Sequence, residues 1–312
     1  MSAPRLTILL PVYNEAPALA PLYGEIARAA ESTGLRWEAL FVDDGSNDGS
    51  FDTLRQLHAK DPGHLRVLRL GGHRGKTAAL AAGFAEARGE IIITMDSDGQ
   101  DDPAEIPRFL EALEQGYGVV SGWKVERRDP GAKVAASRLF NWAVRRLTGV
   151  PLHDVNCGFK AWRAEVAKGL RLYGDMHRLL PVLAAAQGAR IGEIPVHHRP
   201  RTQGRSKYGW GRAVRGFVDL LAVWAGADAA IPSWGVAMIG LAGLVLMGAG
   251  AVWALRAVAD PSGWWAMQAW AYLLSALVAA GGAVFFAAGG LGLRHRRRSA
   301  RAAPPPIAER LE

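Results

Sequence analysis

In the N-terminal third of the chain, apolar runs of strand length alternate with longer amphipathic stretches, and this alternation leaves very few architectures open. The pattern predicts strands over 6–10, 38–42, 65–70 and 90–95, and helices over 15–32, from Asn47 or Asp48 towards 60, and over 75–88. Repeated βα units of this kind bury a parallel sheet between helices on both faces, so the expected fold class is α/β. Ligands of such sheets bind outside the carboxyl ends of the strands. Polar residues stand at those ends: Pro11-Val12-Tyr13-Asn14-Glu15 after the first strand, Asp43-Asp44-Gly45-Ser46 after the second, and Asp96-Ser97-Asp98-Gly99-Gln100-Asp101-Asp102 after the fourth. Their convergence points to one crevice for a nucleotide or phosphate.

The third of these turns carries the most specific chemistry. Hard carboxylate oxygens suit Mg²⁺ or Mn²⁺, ions usually shared with substrate phosphates. A polar loop capping a helix that begins at Pro103 would use the same residues, so the Asp-x-Asp spacing alone leaves both readings open. The turn Gly71-Gly72-His73-Arg74-Gly75-Lys76-Thr77 invites a P-loop reading, but Leu70 stands where that motif needs its first glycine. What remains is a glycine turn that sets Arg74 and Lys76 near a diphosphate.

Downstream, a strand is expected over 117–121, leading into Lys124 and Arg127. An amphipathic basic helix is expected over 133–147, carrying Lys133, Arg138, Arg145 and Arg146 beside Val134, Leu139, Phe140, Val144 and Leu147. Such a helix is either an ordinary solvated one or one that lies on anionic lipid. The loop His153-Asp154-Val155-Asn156-Cys157-Gly158-Phe159-Lys160 follows, then a helix over 176–187 and a strand over 191–196. His197 and His198 read as strand-end residues. A single cysteine, Cys157, excludes an internal disulfide framework and suits a reducing compartment.

Charge is unevenly spread along the 312 residues, whose net charge is +8. Trp210, Val214, Phe217, Leu221 and Trp224 recur at helical spacing beside Arg212 and Arg215, the pattern of an interfacial helix. Residues 234–255 and 268–293 contain no charged side chain, and about 20 apolar residues suffice to cross a bilayer core. Two spans are expected, flanked by interfacial Trp234, Trp253, Trp264, Trp265 and Trp270. Arg294, Arg296, Arg297, Arg298 and Arg301 follow the second span, whereas the intervening loop carries only Arg256 and Asp260. The positive-inside rule then places both termini in the cytoplasm. Residues 1–10 lack the long apolar core of a signal peptide. The Pro-rich tail from Ala302 is expected to be disordered. The expected division is a catalytic domain over 1–204, a juxtamembrane segment over 205–232, two spans over 233–294 and a tail over 295–312.

Taken in order, Pro11-Val12-Tyr13-Asn14-Glu15, Val42-Asp43-Asp44-Gly45-Ser46 and Asp96-Ser97-Asp98-Gly99-Gln100-Asp101 resemble family 2 glycosyltransferases of GT-A fold. Asn156-Cys157-Gly158-Phe159-Lys160 and Arg205-Ser206-Lys207-Tyr208 narrow the resemblance to polyprenyl-phosphate glycosyltransferases, related to dolichol-phosphate mannose synthase and bactoprenol glucosyltransferase. It covers residues from about 5 to 295. Two departures stand out: Ser97 and Gly99 replace the more frequent Ala and Leu, and Lys160 stands where Arg is frequent. The resemblance implies inverting, metal-dependent transfer of a sugar from a UDP- or GDP-linked donor to undecaprenyl phosphate, at the cytoplasmic face of a bacterial inner membrane.

By the same resemblance, Pro11, Tyr13, Glu15, Asp43, Asp44, Arg74, Lys76 and Asp96 would hold the nucleotide. Asp96, Asp98 and Gln100 would hold Mg²⁺ or Mn²⁺. Asp98 and Asp154 would stand at the reacting centre, with Asp154 orienting the acceptor or the sugar. Lys124, Arg127, Lys133, Ser137, Arg199 and Lys207 would take the acceptor phosphate. No nucleic-acid partner is expected. The product would pass to a flippase and a further glycan transferase, and Gly240, Gly243, Gly248, Gly250, Gly281 and Gly282 permit close packing within or between copies. Two rival readings use the same motifs: a glycosyltransferase with another acceptor, and a non-catalytic membrane scaffold that binds a nucleotide sugar.

Overall fold

The computed structural model describes residues 3–125, 131–199 and 304–312, with 219, 220, 223, 245, 248 and 252; over 131–136 it describes the backbone alone. Two compact units are present, Met1–Gly216 with Ala302–Glu312, and Phe217–Arg301. The first is built on one sheet.

Its strands are β1 (Leu6–Val12), β2 (Trp37–Asp43), β3 (Leu65–Leu70), β4 (Ile91–Thr94), β5 (Val119–Lys124), β6 (Lys160–Arg163), β7 (Ile191–Val196) and β8 (Ile307–Leu311). The helices are α1 (Ala16–Ser32), α2 (Ser50–Lys60), α3 (Lys76–Glu86), α4 (Ile106–Glu114), α5 (Gly131–Thr148), α6 (Ala164–Gly169) and α7 (Leu180–Ala186). Strand order is β7-β5-β6-β4-β1-β2-β3-β8. Side-chain alternation sends Leu6, Ile8 and Leu10 to one face, where Leu19, Ile26, Leu54 and Phe109 of α1, α2 and α4 cover them. Leu9, Leu40 and Val42 face the other way, against Leu80 and Phe84 of α3 and Leu180 of α7. Both faces are therefore closed by helices, as the βα alternation predicts.

The sheet departs from the parallel one expected. β1, β2, β3 and β4 run parallel, but β6 enters antiparallel between β4 and β5. Lys160-Ala161-Trp162-Arg163 is too short and too mixed to stand out as a strand, and the polar loop before it dominates the pattern. The expected helix over 176–187 is likewise split into a 3-10 turn at Met176–Arg178 and α7.

A second correction concerns the tail. Residues 307–311 form β8, antiparallel to β3. An uncovered β3 would present an unpaired edge, which is the usual template for unwanted strand pairing. Charges fasten the tail there: Glu312 meets Arg66 at 3.0 Å and Arg88 at 3.1 Å, and Arg310 meets Glu86 at 2.6 Å. Arg66 is itself buried against Glu38 at 2.9 Å, so the tail reaches a charge pair inside the domain. Among the described residues no helix is long and apolar enough to cross a membrane; both expected spans and the interfacial helix lie outside the described residues.

Deleting 304–312 from the full-length protein is expected to lower its melting temperature by a few degrees and to increase self-association. Differential scanning fluorimetry and light scattering in detergent check both, and an unchanged melting temperature would remove β8 from the fold's stability.

Candidate functional site

The carboxyl ends of β1 and β2 are stitched into one wall. Asn14, with φ of 56°, takes the left-handed conformation that Asn tolerates. Its main-chain N–H donates to Ser46 Oγ at 3.0 Å, and Asn47 N–H returns a bond to Asn14 Oδ1 at 2.9 Å. Asp48, just ahead of α2, serves two helices. It accepts from Ser50 N at 3.0 Å and from Ala16 N at 3.1 Å, tying the starts of α2 and α1 together. Glu15 N–H donates to Ser50 Oγ at 2.9 Å. Asp43 is fully buried, with Arg69 Nε 3.4 Å from its carboxylate. Burial pushes its pKa up, against the opposing pull of Ser46 and Arg69.

Asp44 is committed to the neighbouring loop. Its oxygens accept from Arg74 N at 2.7 Å and Gly75 N at 2.8 Å, and His73 Nδ1 lies 2.8 Å away. His73 then stacks on Tyr13, with ring centroids 3.9 Å apart. Gly45 allows this approach, because a Cβ there would lie 2.6 Å from the backbone of Gly72. The glycine turn read from sequence is thus built on Asp44. It delivers Lys76 to the first turn of α3, while the Arg74 side chain stays exposed.

Beyond β4 the chain folds back on its own acids. Asp96 N–H donates to Asp101 Oδ2 at 3.1 Å, Gln100 N–H donates to Asp98 Oδ1 at 3.2 Å, and Gly99 supplies φ of 75°. Ser97 Oγ donates to Pro11 O at 2.9 Å, joining this turn to β1. The Lys76 ammonium pairs with the Asp96 carboxylate, and Lys124 lies 3.2 Å from Asp101. Burial raises the Asp96 pKa, but Lys76 and Lys124 outweigh it and hold the carboxyl at about 2. Lys76 and Lys124 thus favour the ionised form of Asp96.

The antiparallel β6 completes the site from the opposite side. Thr94 pairs with Lys160 in register, and Thr94 Oγ1 donates to Gly158 O at 2.9 Å. Gly158 lies against Asp96 so closely that a Cβ there would stand 2.6 Å from its Oδ1. Lys160 is buried and its ammonium donates to Cys157 O. Burial lowers the Lys160 pKa and pushes the Cys157 thiol up to about 12. Asp154, 1% exposed, begins this loop. Glu193 of β7 anchors it by accepting from Asp154 N at 3.0 Å and His153 N at 2.9 Å.

A small cavity is lined among others by Pro11, Lys76, Asp96, Cys157, Lys160 and His177. The structure thus brings Pro11, Lys76 and Asp96 together, with Lys124 and Asp154 close enough to act on one another electrostatically. Arg199 is directed elsewhere, bonding Glu25 at 2.5 Å and Asp102 at 2.7 Å, while its main-chain N–H holds Gln100 O at 2.9 Å. Ser137 sits half-buried on α5. Arg127, the Lys133 side chain and Lys207 lie outside the described residues. His73, His177 and Glu193 were not expected. His73 lies in the glycine turn already read from sequence, whereas His177 and Glu193 belong to no motif, and each is brought in by packing between elements distant in sequence.

Among the described residues no group of three or more His, Cys, Asp or Glu side chains is set to hold an ion. Asp96, Asp98 and Gln100 nevertheless offer hard oxygens within one turn. An ion there would have one or two carboxylates and would complete its shell from substrate oxygens, as Mg²⁺ commonly does.

Residues 7–170 match the family model described as "Glycosyl transferase family 2". The chain belongs to that family. A dodecaprenyl-phosphate galacturonate synthase from Rhizobium johnstonii is 39% identical over 222 residues, covering 70% of this chain and 66% of that protein. An undecaprenyl-phosphate 4-deoxy-4-formamido-L-arabinose transferase from Edwardsiella ictaluri is 36% identical over 216 residues, covering 69% of this chain and 66% of the relative. The matched stretch thus spans just under two thirds of either relative. A mannosyltransferase from Pyrobaculum calidifontis, solved with GDP-Man and Mn²⁺, superposes with a TM-score of 0.55 at 22% identity, covering 94% of this chain and 88% of that one. A glucosyl-3-phosphoglycerate synthase from Mycobacterium tuberculosis gives 0.57 at 19% identity, covering 73% and 82%. At these identities the likeness establishes the fold alone, the GT-A α/β fold of family 2.

Gly158→Ala is expected to cost at least about tenfold in turnover, because its methyl group displaces Asp96 from the turn. The melting temperature should change little. Steady-state kinetics beside a thermal melt check this, and full activity would separate Asp96 from the chemistry.

Proposed function

We propose that this family 2 chain moves a sugar from a nucleotide sugar onto a polyprenyl phosphate, with inversion at the anomeric carbon. The observation that carries the reading is the acid turn at the carboxyl end of the sheet, where Asp96 pairs with Lys76 and packs against Gly158 and Asp101 meets Lys124. Two relatives named for polyprenyl-phosphate sugar chemistry support the acceptor class.

The residues divide the task by charge. Asp43, fully buried at the end of β2, would take the base, with Tyr13, Glu15 and Pro11 beside it. Asp44 would act through the loop it holds, which sets Lys76 where a diphosphate would lie. Asp96, Asp98 and Gln100 would hold a divalent ion, whose contribution when bound is to neutralise charge on the departing diphosphate. Mn²⁺ accompanies the donor in the mannosyltransferase that shares this fold, and the oxygen donor set suits Mg²⁺ equally.

A phosphate oxygen of the acceptor forms the new bond to the anomeric carbon as the bond to the diphosphate oxygen breaks, and the nucleoside diphosphate leaves with the electron pair. Phosphate monoesters are largely ionised near neutral pH, so no strong base is required. Asp154 therefore orients acceptor or sugar rather than removing a proton. Lys124, with Arg127, Lys133, Ser137 and Lys207, would offset repulsion between two anionic substrates. Arg199 contributes by fixing the metal-side turn through Glu25, Asp102 and Gln100.

The acceptor places this chemistry at a membrane. Leu139 and Trp142 of α5 are 56% and 58% exposed beside exposed Arg138, Arg145 and Arg146, the combination expected of a helix resting on anionic lipid. We extend the proposal to the division at 204, 232 and 294, to spans over 234–255 and 268–293, and to a cytoplasmic catalytic domain in a bacterial inner membrane.

Incubation of the purified full-length protein with undecaprenyl phosphate, Mg²⁺ or Mn²⁺ and a donor panel should give one glycosylated lipid monophosphate by mass spectrometry. Nucleoside diphosphate release that ignores the lipid would overturn the acceptor assignment. Asp98→Asn is expected to lower turnover by about 10²-fold or more. Replacing Leu139 and Trp142 together by Glu should raise KM for undecaprenyl phosphate and leave donor affinity unchanged.

A further inference from the structure

We infer that Glu193 is the positioning residue for Asp154, its carboxylate fixing the peptide from which that acid is presented to the reacting centre. The inference rests on the reading of Asp154 as the group that orients acceptor or sugar, and it names what aims that group. Glu193 stands within β7, opposite Ser121 of β5, and its side chain is 10% exposed.

The need for such a residue comes from the local chain. Residues 149–159 form neither helix nor strand, so no ladder takes up their main-chain groups. Shielded N–H and C=O groups must find partners, and where those partners are side chains, the side chains set the backbone. The peptide that joins His153 to Asp154 is held at both of its polar ends. Its N–H donates to Glu193 Oε1 at 3.0 Å, and its C=O accepts from Asn141 Nδ2 of α5 at 2.6 Å. The two groups point opposite ways across a planar trans unit, so the two bonds together fix its rotation.

The same carboxylate holds the residue before. His153 N–H lies 2.9 Å from Oε1 and 3.0 Å from Oε2, and His153 Nδ1 lies 2.8 Å from Oε2. Trp123 of β5 stacks on the imidazole, with ring centroids 4.3 Å apart. Asp154 itself is 1% exposed and lies close enough to Lys124 and Lys160 to favour the charged form of both. A reacting group misplaced by about 1 Å can cost about 10²-fold in turnover, so the hold on this peptide bears directly on rate.

The test uses full-length protein in detergent with Mn²⁺ and undecaprenyl phosphate. The donors are UDP-glucose, UDP-galacturonate, GDP-mannose and UDP-linked 4-deoxy-4-formamido-L-arabinose. Glu193→Ala should lower turnover by about 10²-fold and leave UDP or GDP affinity, read by calorimetry, within about twofold. Glu193→Gln should recover most of that loss, because one amide oxygen can accept both main-chain N–H groups that Oε1 accepts now. Combined with Asp154→Ala, the losses should not multiply. Once there is no carboxylate to aim, adding Glu193→Ala should cost less than about threefold. Should Glu193→Ala fail to fold, Glu193→Asp, which draws the carboxylate back by one methylene, takes its place in the same cycle. Full turnover by the Glu193 variant, or losses that multiply, would make Glu193 merely structural and overturn the inference while Asp154 keeps its role. Asp154→Ala with full turnover would overturn the Asp154 reading, and the inference falls with it. Wild-type protein that turns over none of the four donors would overturn the transfer reading and everything built on it.

Discussion

Everything at the carboxyl end of the sheet depends on keeping a partly buried carboxylate charged. Burial disfavours an ionised Asp96, and the ammoniums of Lys76 and Lys124 reverse that preference. Those lysines come from opposite sides, Lys76 from the first turn of α3 and Lys124 from the end of β5. Lys124 is itself held by Asp101, whose other oxygen accepts from the Asp96 main chain. The turn and its counter-charges therefore form one linked arrangement.

That arrangement explains why β6 is antiparallel. A parallel strand beside β4 would deliver its preceding loop to the amino end of the sheet, far from Asp96. Running the other way, β6 starts where β4 ends, so the loop from Asp154 to Gly158 arrives on top of the acid turn. Phe159 is buried against Phe109 of α4, with ring centroids 4.4 Å apart, and holds the strand in place from below. The site is thus assembled by sheet topology, with hydrogen bonds such as Thr94 to Gly158 setting the final distances. At the far edge the sheet has the opposite need. β8 gives β3 a partner, and its charges meet the Arg66–Glu38 pair just inside the domain.

Much of this was legible from residue order. The apolar runs and their acidic ends located β1 to β4 and the turns at Asp43, Asp44, Asp96 and Asp98, because period and composition are local properties of the chain. The glycine turn at 71–75 was also legible, although its tie to Asp44 was not. What escaped were features that depend on a distant partner: β6, too short to announce itself; β8, whose five residues become a strand only because β3 leaves an open edge; and the ion pairs that turn Arg199 towards Glu25 and Asp102.

Sequence by itself determined the family of the chain, the α/β alternation and the identity of the acids, since each is written in contiguous residues whose spacing has few physical solutions. Only the tertiary structure decided which charges meet. Lys76, Lys124, Lys160 and His177 stand far from Asp96 along the chain and reach it from four separate elements. Electrostatic and hydrogen-bond energies depend on separation in space, and separation in space is set by strand order and helix packing, which no local pattern encodes.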